Sequence, residues 1–166
     1  MVDGASFREV QYFRQPWLLV LLAVDVLVNI WAMVQQIVLG QPWGNNPASN
    51  GLLLIIFLLA GVLLPLLVLS AHLRIEVRRE GFVYRFFPFQ FRDRTIAWKD
   101  ISSHRKVRYS PLRDYGGWGI RYGRQGMAFN VGGNQGVVLT LGEGREVLFG
   151  SKEPESLDLA IGSMLV

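Results

Sequence analysis

Two long apolar runs lie close together at the front of this chain, and they constrain everything else about it. Residues 17–39 hold one charge, Asp25, and residues 51–71 hold none. At about 1.5 Å of rise per helical residue the runs reach about 34 and 31 Å, enough for a hydrocarbon core of about 30 Å. The pattern predicts a helical hairpin across a membrane. It divides the chain into a cytosolic N-terminal segment (1–16), a first transmembrane helix (17–39), an extracytoplasmic loop (40–50), a second transmembrane helix (51–71) and a cytosolic folded domain (73–166). The first run is too long for a signal peptide and no small-residue cleavage pattern follows it, so it is expected to be retained.

Charge sets the expected orientation. Residues 1–71 sum to −1, and residues 72–166, with 15 basic and 10 acidic side chains, sum to +5. The loop 40–50 has no Lys or Arg, whereas Arg8 and Arg14 precede the first run and Arg74, Arg78 and Arg79 follow the second. The positive-inside rule then places both termini in the cytosol and the loop outside. Trp17 and Trp43 fall where interfacial aromatics belong.

In the first run Asp25, Asn29 and Gln36 share one helical stripe. A carboxylate at that depth costs about 2.5–3.5 kcal/mol on insertion scales, so it is expected to face protein or water. The stripe is read as a helix contact, to the second span or to a second copy of the chain, with a proton or ion relay as the alternative. Gly61 and Pro65 allow a kink in the second run. Ahead of the hairpin, Val10, Phe13 and Trp17 are spaced i, i+3, i+7. That spacing predicts either a short helix on the bilayer surface or a frayed lead-in.

After His72 the period changes to two. Leu73, Ile75 and Val77 alternate with Arg74, Glu76 and Arg78, a half-buried strand. Further strand patterns lie at 82–91, 95–98, 105–109, 118–122, 127–131, 137–141 and 146–149, with Gly-rich separators. Ser151, Glu153, Pro154 and Glu155 begin a final helix, whose stripe is Leu157, Ala160, Ile161 and Met164. About seven antiparallel strands in a sandwich or barrel, closed by one amphipathic helix, is the element order of a pleckstrin-homology-like (PH-like) fold.

The run Arg85-Phe86-Phe87-Pro88-Phe89, the block Gly116-Gly117-Trp118-Gly119-Ile120-Arg121, the hairpin around Gly132 to Leu139 and the helix start from Gly150-Ser151 to Pro154-Glu155 carry a resemblance. Together they resemble an uncharacterised family of bacterial membrane proteins with two spans and a C-terminal bacterial PH-like domain. The resemblance implies a fold and a location. It brings no catalytic residues.

Chemistry is searched for next. The chain has no cysteine, which excludes disulfides, thiolate zinc sites and cysteine nucleophiles. Its two histidines, His72 and His104, do not make a metal site by themselves, and no cofactor is expected. Gly132-Gly133-Asn134-Gln135-Gly136 lacks the Lys-Ser/Thr of a phosphate loop and lies between strands. Ser102, Ser103 and His104 are adjacent, the wrong arrangement for a nucleophile and its base. The expectation is a non-enzymatic protein. Arg74, Arg78 and Arg79 are the candidates for an anionic lipid surface. Trp118 and Arg121 are the candidates for a protein-partner surface, and nucleic acid is not an expected partner. The alternative is a transport-related or assembly subunit acting through Asp25 and Asn29.

Overall fold

The computed structural model describes residues 5–123 and 126–165. It divides the chain into two compact units: residues 13–70, and residues 71–166 together with the N-terminal residues up to Tyr12.

The first unit is the helical hairpin. Two helices, Pro16–Val38 and Asn50–Ser70, are long and apolar enough to cross a membrane. Each contains a turn of π-helix, Val34–Val38 in the first and Phe57–Leu63 in the second. The second π turn lies just ahead of Pro65, which can neither donate to nor clear the carbonyl four residues back. A widened turn is one way a helix absorbs that conflict. Ser49 caps the second helix, its hydroxyl accepting from Leu52 N. Ala32, Leu53, Gly61 and Pro65 are the buried positions of the hairpin. A Cβ on Gly61 would lie 3.0 Å from Asn29 Cβ, so at this point the two helices are in close contact through the smallest residue available.

The second unit is built from two sheets. The first is antiparallel, in the order β1-β2-β3-β4: β1 Ala5–Tyr12, β2 His72–Arg78, β3 Gly81–Phe87 and β4 Arg94–Ile96. The second comprises β5 Ile101–Arg108, β6 Gly119–Gly123, β7 Gly126–Asn130, β8 Gln135–Leu141 and β9 Glu146–Gly150, in the order β5-β8-β9-β7-β6. Its β7–β9 pair is parallel and the rest antiparallel. The two sheets do not close into a barrel. After the three-residue β4 the chain turns through a 3-10 segment, Trp98–Asp100, before starting the second sheet.

Residues 5–12 correct the sequence expectation. They form neither a surface helix nor a frayed lead-in but strand β1, paired along its length with β2. Tyr12 lies opposite His72, so the whole helical hairpin is inserted between two neighbouring strands. The folded unit therefore extends beyond the expected 73–166 to include this strand. Residues 88–91 likewise leave the sheet, β3 ending at Phe87.

The core lies between the sheets. Phe82 and Tyr84 of β3 meet Phe129 of β7 and Phe149 of β9, with ring centroids 4.6–5.3 Å apart. The closing helix, Pro154–Gly162, buries Leu157 and Ile161 completely. Gly136 of β8 is required by close approach, because a Cβ there would fall 2.2 Å from the Phe149 carbonyl oxygen.

Candidate functional site

The arginines expected to face lipid lie on the outer face of β2. Leu73, Ile75 and Val77 point into the core, which turns Arg74, Glu76 and Arg78 to the other side. Glu76 is only 2% exposed, and three guanidinium groups converge on it. Arg8 Nε lies 3.3 Å away, Arg74 Nε 3.1 Å, and Arg78 Nε donates at 2.7 Å. Arg74 also pairs with Asp93, which Arg85 approaches at 3.7 Å. Arg74 and Arg78 are thus held in an internal lattice of charge-assisted bonds. Arg79, one residue beyond β2, is exposed.

A second polar site joins the two sheets. Glu9 of β1 is buried, and its carboxylate accepts from Ser151 Oγ at 2.6 Å and from Lys152 N at 2.8 Å. Gln11, 1% exposed, donates through Nε2 to the Gly150 carbonyl at 2.7 Å. Ser151 Oγ also accepts from Glu153 N at the start of the closing helix. The strand that leads into the first apolar helix is therefore tied to β9 and to the closing helix. Sequence reasoning missed Glu9, Gln11 and the role of Glu76.

The Gly116–Arg121 block forms the entry to β6, an edge strand. A short helix, Pro111–Tyr115, is capped by Ser110 and ended by Gly116 in the left-handed conformation. Trp118 is half-buried. Arg121 is exposed, its Nε donating to the Trp118 carbonyl at 2.8 Å. Gly119 N donates to Asn130 Oδ1 at 2.9 Å, which fixes the start of β6 against β7. Next to Arg121, Tyr122 is 78% exposed. Behind this edge, burial pushes the Tyr109 hydroxyl up to about 12, with the Asn130 amide pulling the other way. Burial also raises Tyr115, whose ring meets that of Tyr109 edge to face at 5.8 Å.

The polar stripe of the hairpin is local. Asn29 Nδ2 donates to the Asp25 carbonyl at 2.9 Å and to Asp25 Oδ1 at 3.2 Å. Gln36 holds the loop between the helices, donating to the Ala48 carbonyl and to Asn50 Oδ1 and accepting from Trp43 N. Asp25 Oδ2 is buried with no hydrogen-bond partner among the described residues.

The remaining candidates lie elsewhere in the β unit. Ser102 Oγ donates to the Thr140 carbonyl, and His104 Nδ1 lies 2.7 Å from Asp158 on the closing helix. Neither contact aims a nucleophile at a base. Among the described residues no group of three or more His, Asp or Glu side chains could hold a metal ion. The Gly132–Gly136 run is the turn between β7 and β8 and the start of β8.

A family of unknown function, DUF6141, matches the chain over residues 2–166. The chain belongs to this family. No curated protein matches it.

Proposed function

We propose that this member of DUF6141 is a two-span protein of the bacterial inner membrane whose cytoplasmic, PH-like β unit is a non-enzymatic binding module for a protein partner at the membrane surface. The observation that carries the reading is the surface of the hairpin. Leu27, Val38 and Leu66 are each more than half exposed, and apolar side chains lie open on both helices. Water tolerates few contiguous apolar patches of that extent. The absence of Lys and Arg from the loop between the helices supports the orientation.

Within the module, the pairing of Arg74 and Arg78 with Glu76 and Asp93 weighs against anionic lipid as their ligand. The edge position of β6 in its sheet, with Arg121 and Tyr122 exposed, favours a peptide or protein that adds to a strand. A photo-crosslinker at Tyr122 should capture a partner in native membranes, and one at exposed Leu159 should not. Equal adducts at both positions, or none at Tyr122, would count against the edge.

One observation favours a second reading, an assembly or transport-related subunit acting through the hairpin: the buried, unpartnered Oδ2 of Asp25. Asp25→Asn should then abolish a co-purifying complex or a transport phenotype. Under the first reading it alters stability alone.

A further inference from the structure

The turn joining β3 to β4 has a composition unusual for a solvated loop. Phe89 is 73% exposed and Phe91 76% exposed, with the exposed Arg92 beside them. The turn is well built. Gln90 N donates to the Phe86 carbonyl at 2.8 Å, and Gln90 Oε1 accepts from Phe86 N at 3.0 Å. Phe91 meets Phe87 edge to face at 5.9 Å. Two large apolar rings are thus held outward by a fixed backbone.

Strand register says which end of the unit they occupy. Phe87 lies opposite His72 on β2, and His72 lies opposite Tyr12 on β1. The rings of Tyr12, His72 and Phe87 form a continuous row, with centroids 5.2 and 5.5 Å apart. Tyr12 and His72 are also where the chain leaves β1 for the first apolar helix and returns from the second. One residue, Ala71, separates the second apolar helix from β2. The turn with Phe89 and Phe91 therefore projects from the end of the sheet that is covalently tied to both helices.

We propose that Phe89 and Phe91 insert into the interfacial layer of the bilayer, with Arg92 at the level of the lipid headgroups. Aromatic rings with an adjacent basic group are what such a layer accepts. This inference rests on the two-span reading and adds a third membrane contact to it. It also moves the lipid-facing surface from Arg74 and Arg78 to the β3–β4 turn.

Because the chain has no cysteine, single reporters can be introduced into the full-length protein. An environment-sensitive fluorophore is attached to F91C, L27C or L159C, and each is reconstituted into phosphatidylcholine–phosphatidylglycerol vesicles with lipids spin-labelled both near the headgroup and deep in the acyl chain. Quenching at position 91 should come within about twofold of that at position 27, while position 159 stays unquenched. Phe89→Asp in the F91C protein should lower the quenching severalfold. If position 91 is as unquenched as 159 while 27 is quenched, the turn stays in water and the inference is overturned alone. Should position 27 be unquenched, the two-span reading falls and this inference with it.

Discussion

The helical hairpin and the β unit solve the polar-group problem in opposite ways. In the hairpin, apolar side chains face outward, and Asn29 and Gln36 are satisfied within a turn or in the adjoining loop, by Asp25 and Ala48. In the β unit the rings of Phe82, Phe129 and Phe149 face inward, and buried Glu9 is satisfied by Ser151, far away in sequence. The first arrangement suits a solvent that offers no hydrogen bonds, the second a solvent that offers them freely. Yet the two are one continuous chain, because β1 enters the hairpin and β2 leaves it.

The sharpest way to break the comparison is to separate the units. Replacing residues 13–71 by an Asn-Gly turn should join Tyr12 to His72 as a hairpin and give a folded β unit that needs no detergent. Residues 73–166 alone should not fold, lacking β1. A chemical-shift spectrum of each fragment checks both outcomes.

A smaller effect tests the two interiors. Phe149→Ala should cost the β unit about 3–5 kcal/mol, since its ring contacts Phe82, Tyr84 and Phe129. Leu27→Ala, on the outer side of the hairpin, should leave denaturation in detergent unchanged within about 0.5 kcal/mol. Glu9→Ala comes next. Leaving Ser151 and the Lys152 amide without their acceptor should cost about 1–3 kcal/mol in urea denaturation of the joined unit.

The last effect appears only in alkali. Tyr109 holds its proton up to about 12 in the folded state but releases it near 10 when unfolded. Its contribution is complete below pH 10 and lost as pH rises through 12, about 3 kcal/mol in all. Tyr109→Phe should shrink that loss without abolishing it, because burial also raises Tyr84 and Tyr115.

What sequence could reveal followed from which solvent each face meets. The two helices were legible because uninterrupted apolar length has few other meanings. Strands β2, β3 and β5 to β9 were legible because an apolar face alternates with a polar one. β1 was not, since its inward face carries Glu9 and Gln11 beside Phe7, which inverts the usual signal. Arg74 and Arg78 were placed on a lipid surface because they follow the second run closely. Their alternation with Glu76 put all three on one face, and that was the clue to an internal lattice. The helix Pro111–Tyr115 is too short for periodicity to register.

Residue placement relative to the bilayer is the claim on which the functional reading stands. In intact cells expressing N46C or S163C, a membrane-impermeant maleimide should label position 46, in the loop between the helices, and reach position 163 only after lysis. Labelling of position 163 in unbroken cells, or protection of position 46 there, would contradict two crossings with the β unit inside.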